Sequence, residues 1–383
     1  FFWIAAIGLV VLTALYTIFG GMKSVLYTSV LQTPILLLGS LIILVLGFKE
    51  LGGWDEMMRV CGAVTVNDYG DTMTNLIRSN DDANFPWLGA LIGSAIIGFW
   101  YWCTDQFIVQ RVLSGKNEME ARRGTIFGAY LKLLPVFLFL IPGMIAFALH
   151  QKYIGAGGEG FLPMLANGTA NADAAFPTLV AKLLPAGVKG LVVCGILAAL
   201  MSSLASLFNS SAMLFTIDFY KRFKPETPEK KLVGIGQIAT IVIDVLGILW
   251  IPIMRSVGDV LYTYLQDVQS VLAPGIAAAF LLGICWKRTS AQGGMWGLIS
   301  GMVIGLTRLG AKVYYSNAGE VADSTFKYLF YDMNWLFFCG WMFLFCIIVV
   351  IVVSLATEAP TAEKIQGLVF GTATKEQKAA TRA

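Results

Sequence analysis

Apolar residues in this chain come in long runs broken by short polar interruptions, and the runs set the expected elements. Nine runs approach or exceed the roughly 20 residues a membrane helix needs: 1–19, 26–48, 87–110, 125–149, 186–217, 232–254, 258–285, 293–311 and 334–356. The run 186–217 is long for a bilayer and is expected to tilt or to pass the interface. Between the runs, charge alternates. Lys23 follows the first run; Arg111, Lys116, Arg122 and Arg123 follow the third; Lys221, Arg222, Lys224, Lys230 and Lys231 follow the fifth; Lys287 and Arg288 follow the seventh. Short basic loops lie on the cytoplasmic side. The longer loops around 49–86, 150–185 and 312–333 are therefore external, with Asp55, Glu56, Asp68, Asp71, Asp81 and Asp82 in the first. The sequon Asn167-Gly168-Thr169 falls on such a loop, where a chance match outweighs use, and residues 358–383 form a polar cytoplasmic tail.

Composition agrees. The chain is 57% hydrophobic and 13% charged, with mean hydropathy +0.73, where a soluble domain would carry about 25% charge. This is an all-α polytopic membrane protein. A net charge of +3 is too small to suggest nucleic acid. Cys61, Cys103, Cys194, Cys285, Cys339 and Cys346 show no metal spacing and read as buried thiols. His150, the only histidine, is expected at an interface. With no nucleophile–histidine arrangement, phosphate-binding glycine loop or acid pair, the chain is expected to be no enzyme and to hold no organic cofactor. Phe1 already lies inside an apolar run, so the chain is expected to be an N-terminally truncated fragment.

Four groups of polar residues interrupt the apolar runs. Trp100-Tyr101-Trp102-Cys103-Thr104-Asp105-Gln106 reads either as an interfacial aromatic belt or as a site where rings cover the apolar face of a solute and amides bond its rim. Lys132 lies about 12 Å along a helix past Gly124. That is a long reach for snorkelling, and donation to a ligand hydroxyl or to an acid is the other reading. Ser202, Ser206 and Asn209 share one helical face. Helix packing explains most of that face, while adjacent Ser202 and Ser203 also offer the neutral oxygens a hard cation such as sodium takes. Tyr262, Gln266 and Gln269 share a face ahead of Pro274-Gly275, which is expected to bend or interrupt its helix. That face suits either interhelical hydrogen bonds or a midplane binding site. Asp244 is an isolated acid in the sixth run.

Taken in order, these groups resemble the sodium:solute symporter family, nearest to its sodium/glucose (galactose) cotransporter branch. Tyr16 to Ser24 looks like one family signature, and Gly283 to Arg288 with Gly293, Gly294 and Gly301 looks like a second. Trp100 to Gln106 with Val109-Gln110-Arg111, Tyr130 to Leu133, and Ser202 to Ser211 are similar to sugar-transporting members. The resemblance covers most of residues 10–312. It implies a LeuT-type core of two inverted five-helix repeats (5+5), incomplete at the N-terminus. Residues 1–48 would be the last two helices of the first repeat, 87–285 the second repeat, and 293–356 two peripheral helices.

The resemblance also implies roles. Tyr101 would stack on the sugar as inner gate beside Trp102, Lys132 and Gln266 would bond hydroxyls, and Tyr262 would be an outer-gate aromatic. Ser202 and Ser203 would ligate sodium with the Ala199 carbonyl. Gly98 stands where sugar-binding members often have a polar side chain, and Ser29 where many members carry Asp, which weakens the case for a second cation site. The expected function is a plasma-membrane symporter coupling sodium entry to import of a hexose or related polyol. The alternatives are a sodium symporter for another organic solute (myo-inositol, an acidic sugar or a carboxylate) and a membrane sensor or channel on the same core. The partners expected are sugar or polyol, sodium and the lipid bilayer, with no nucleic acid.

Overall fold

The structure is a computed structural model that describes residues 2–165, 168–255, 261–317 and 322–373. The sequon asparagine Asn167, the first residues of the expected run 258–285 and the tail beyond 373 lie outside the described residues. The helices in chain order are α1 (Phe2–Leu51), α2 (Trp54–Gly62), α3 (Trp87–Cys103), α4 (Gln106–Leu113), α5 (Glu118–Leu131), α6 (Ile141–Gly155), α7 (Ala175–Leu183) and α8 (Ala186–Leu214). There follow α9 (Lys221–Phe223), α10 (Glu229–Arg255), α11 (Leu261–Cys285), α12 (Ala291–Asn317), α13 (Thr325–Lys327), α14 (Trp335–Ala356) and α15 (Ala362–Ile365). Three wide π turns, Val136–Leu140, Phe215–Tyr220 and Tyr328–Asp332, adjoin α6, α8 and α13.

Among the described residues six helices are long and apolar enough to cross a membrane, or seven if the bent pair α3–α4 counts as one span. The difference from nine has two sources. Of the expected spans 1–19 and 26–48, which run on in one helix α1 with no loop at Lys23, Val25–Leu51 is long enough to cross and Trp3–Ile18 is too short. Glycine tolerates helical angles at a cost of only about 1 kcal/mol, so Gly20-Gly21 does not stop α1. The run 293–311 does form a helix, α12, but its glycines and Arg308 dilute its hydropathy below that of a span.

The chain divides into two compact units. The first comprises Phe1–Val66, Thr72–Thr74 and Thr125–Asp259. Here α1 runs antiparallel to α8, with Gly195 against Ile35 and Ser29 against Ser202. A side chain on Gly195 would press its Cβ to 2.9 Å from Ile35, so glycine permits the close approach. Ile43, Leu51, Met57, Ile145, Leu149, Leu179 and Val192 fill the core. His150 is buried there, and its Nδ1 accepts from the Leu162 N–H at 3.0 Å. It holds a loop in place, a structural task inside the protein.

The second unit comprises Asn67–Asp71, Asn75–Gly124 and Val260–Ala383. Its core is α3, α11, α12 and α14. α11 is not interrupted at Pro274-Gly275. Gly275 instead faces Gly301 of α12, where a Cβ on Gly301 would sit 2.9 Å from the Gly275 Cα. Bare backbone on both sides lets the two helices touch. Of the six free cysteines, Cys61, Cys339 and Cys346 are buried, while Cys103, Cys194 and Cys285 are exposed.

Candidate functional site

In the first unit, the polar face expected on α8 packs mainly inward. Ser202, Ser206 and Ser210 are buried, and the Ser202 hydroxyl hydrogen-bonds that of Ser29 on α1. Tyr16 of α1 donates its hydroxyl to the Met201 carbonyl at 2.8 Å. Ser203, the other expected cation ligand, faces away and is exposed. Ala199 lies inside the unbroken α8, so its carbonyl belongs to the helical ladder and no unwinding frees it. Toward the C-terminal end of α8 lies a cavity of about 290 Å³, lined among others by Thr17, Asn209, Thr216, Gln237 and Thr240. Gln237 donates to the Ile18 carbonyl at 3.3 Å, while the buried Thr216 hydroxyl has no partner.

Lys132 sits at a turn after α5 and is exposed. Pro135 explains the break: it has no N–H, and its ring clashes with the carbonyl four residues back, that of Leu131. The charge thus falls where the helical ladder is already interrupted.

In the second unit, the expected residues form two pairs. Tyr101 and Trp102 meet edge to face at 5.3 Å between centroids, at the end of α3. The chain then bends by 48° into α4. Asp105 is the N-cap of α4, its carboxylate accepting from the Phe107 N–H at 3.0 Å. This gives Asp105 a structural role. The second pair is on α11, where Gln266 donates to the Tyr262 hydroxyl at 2.9 Å. The two pairs are far apart. Phe99 meets Phe280 at 6.0 Å, and Ile96 and Ile97 cluster with Ala273 and Ala277. α3 and α11 therefore run parallel, and Tyr101 lies level with a part of α11 roughly 20 Å beyond Gln266 at 1.5 Å per residue.

Beside Gln266 the structure holds a group that sequence reasoning missed. Asp267 pairs with Lys312 and lies 3.6 Å from Arg308, both on α12. Arg308 is fully buried, donates to the Met333 carbonyl at 2.8 Å and stacks 4.1 Å from the Phe338 ring centre. Two cations thus enclose one carboxylate. The available signal was two basic residues one turn apart in a glycine-rich apolar run, Arg308 and Lys312. Among the described residues no group of three His, Cys, Asp or Glu side chains could hold a metal.

Outside the spans, the loop of the second unit is tied by its acids. Asn67 donates to Asp71 at 2.9 Å and to Asp82 at 3.0 Å. Burial pushes the Asp82 carboxyl up, but hydrogen bonds from the Phe85 and Asn84 N–H groups and from Asn67, with Arg78 nearby, outweigh it and hold it below the usual range. The Asn67 and Ser79 donors likewise lower Asp71.

Comparison with known proteins bears on what these elements are. The model of the sodium:solute symporter family matches residues 2–301. The chain is 35% identical over 381 residues to sodium/myo-inositol cotransporter 2 of Homo sapiens, covering 97% of this chain and 56% of that one. It is 36% identical to a sodium/mannose cotransporter of Bos taurus (97% and 64% covered). It is 37% identical to sodium/glucose cotransporter 1 of Ovis aries (93% and 56% covered). The chain therefore spans little more than half the length of most of these relatives. A solved structure of a Na+-coupled sialic acid symporter, substrate-bound and outward-open, superposes with TM-score 0.66 at 20% identity, covering 92% of this chain and 66% of that one. That likeness shows the fold, which is the LeuT-type architecture.

Proposed function

The chain belongs to the sodium:solute symporter family, and on that premise we propose that it is part of a symporter that couples sodium entry to import of a hexose or related polyol by alternating access. Family membership and the apolar spans make it an integral membrane protein and a transporter rather than an enzyme. The observation that carries the solute class is the set of relatives, named for sodium with myo-inositol, mannose and glucose. The site chemistry supports it. Tyr101 and Trp102 present ring surface, and Gln266 and Tyr262 present neutral hydrogen-bonding groups suited to hydroxyls.

On this reading Tyr101 stacks on the solute from one end, with Trp102 beside it. At a different level of the path Tyr262 is the outer gate and Gln266 bonds solute hydroxyls, and Lys132 is a further hydroxyl donor by the same family resemblance. The parallel course of α3 and α11, which separates Tyr101 from Tyr262 along the helices, supports gates at two levels. By the family resemblance Ser202 and Ser203 hold sodium with the Ala199 carbonyl in another state of the cycle, one in which Ser203 turns inward and that carbonyl leaves the helical ladder, contributing dipoles without adding charge. The 1–48 segment closes the first inverted repeat, 87–285 is the second, and the plasma membrane is the setting. Sodium and solute stabilise the same state, so by linkage each tightens the other's binding equally. The driving force is adequate. One charge crossing 100 mV yields about 2.3 kcal/mol, and a tenfold sodium gradient adds about 1.4 kcal/mol. Together these support accumulation on the order of several hundredfold.

The test is uptake of labelled glucose, galactose, mannose, myo-inositol and an acidic sugar into liposomes holding the complete protein, with an inward gradient of sodium or of choline. Sodium-dependent uptake of one or more neutral sugars or polyols is expected. Uptake unchanged without sodium but driven by a proton gradient would overturn the coupling ion. Uptake of the acidic sugar alone would overturn the solute class.

A further inference from the structure

Asp244 lies in the apolar stretch Glu229–Leu249 of α10, within a membrane span. It is 5% exposed, and neither carboxylate oxygen has a hydrogen-bond partner. Thr240, one turn earlier, is also buried, but its hydroxyl is spent on the Gly236 carbonyl at 3.0 Å.

Among the described side chains, the elements around α10 bring no compensating charge to the Asp244 carboxylate. They are α8, the π turn Phe215–Tyr220 and α1. Gly236 faces Thr216 and Gly247 faces Phe208, so Asp244 lies near the Phe208–Ala212 stretch of α8. The titratable residues of α8 are Lys189 and Cys194, four or more turns away, with Lys189 turned to the Ala181 carbonyl. Those of the π turn are Asp218 and Tyr220, about two turns beyond Ala212. On α1 they are Tyr16, bonded to Met201, then Tyr27, Lys49, Glu50 and Lys23, whose side chain lies outside the described residues. α10 itself carries Glu229, Lys230, Lys231 and Arg255 at its ends, about three turns or more away.

A bare carboxylate in such surroundings is among the costliest arrangements a membrane protein can hold. Sodium would remove the charge only with several further oxygens around it, and neither oxygen of this carboxylate has a hydrogen-bond partner. A proton needs the carboxylate alone. We propose that Asp244 is a proton-binding site of the transporter, distinct from the sodium-binding hydroxyls assigned to α8. The buried carboxyl is neutral, and it exchanges its proton when the α8–α10 face meets water.

Dicyclohexylcarbodiimide adds to protonated carboxyls in apolar surroundings, and mass spectrometry locates the adduct. With the complete protein in liposomes, Asp244 should be labelled at about pH 7 and labelling should fall about tenfold per unit above its midpoint. It should be the same in sodium chloride as in choline chloride, and absent in Asp244→Asn. Protection by sodium at fixed pH would make this a sodium site and overturn the proposal. So would absence of labelling across the range from about pH 5 to about pH 9. The inference rests on the symport reading only in calling the site part of a transporter. Sodium-driven uptake by the same liposomes tests that reading, and its absence would leave the labelling result intact.

Discussion

The two compact units bury polarity in different ways. Along α1 and α8 the buried polar groups are mainly hydroxyls: Thr13, Thr17, Ser202, Ser206 and Ser210. Several are satisfied by local carbonyls or by one another, as Thr17 is by Thr13 and Ser202 by Ser29. Around α11 and α12 the interior holds full charges, Asp267 between Arg308 and Lys312. Hydroxyls can be removed singly at modest cost, because what is left behind is another small dipole. Removing one ion of a buried set strands the others. The first arrangement leaves oxygens free to exchange partners with a passing cation; the second fixes helices to one another.

The largest test of that contrast is Arg308→Met. It takes away the buried guanidinium, its hydrogen bond to the Met333 carbonyl and its ion pair with Asp267. A loss of about 3 kcal/mol or more of stability is expected, read as a lower unfolding temperature of the detergent-solubilised protein. A change under about 1 kcal/mol would erase the contrast. Next, Ser203→Ala should raise the sodium concentration for half-maximal uptake by about tenfold, or about 1.4 kcal/mol, with the unfolding temperature little changed because Ser203 is exposed. Unaltered sodium dependence would remove Ser203 from the cation site. Asp105→Ala should cost about 1 kcal/mol by uncapping α4, and Asp105→Asn, which keeps an acceptor, should restore most of it.

The smallest effect expected is with pH. Asp71 and Asp82 are held below their usual range in the folded loop. Their contribution is complete above the unfolded value near pH 4 and is lost as pH falls through the folded one. Acidification should therefore speed amide exchange in residues 67–71 and 75–85 of the second unit, while the hydroxyl contacts of α1 and α8 stay unchanged. Equal loosening of both would show that the two interiors do not differ in this respect.

How much of this was legible follows from the range of each interaction. The spans were readable because a run of apolar residues is a local property. Asp105 was readable too, since an acid just before a new helical run is an N-cap signal; the aromatic residues beside it invited a functional reading instead. Pro135 marked the turn at Lys132 in the same local way. Ser29 with Ser202, and Asp267 with Lys312, join residues far apart along the chain. Nothing in either neighbourhood announces its partner. The continuity of α1 was missed because Gly20-Gly21 beside Lys23 resembles a turn. Pro274 is carried inside α11 without interrupting it, next to the close approach of Gly275 and Gly301.

The wide π turns carry one residue more per turn than the helices they adjoin. Each is a place where the chain has taken up an extra residue without forming a loop. Deleting one residue from Phe215–Tyr220 should let that turn relax to ordinary helix, keeping the faces of α8 in phase. The same deletion between Ala186 and Ser202 would rotate one end of α8 against the other by about 100°, carrying Ser202 out of register with Ser29. The π turns thus mark where the length of this chain can change while its helix faces stay aligned.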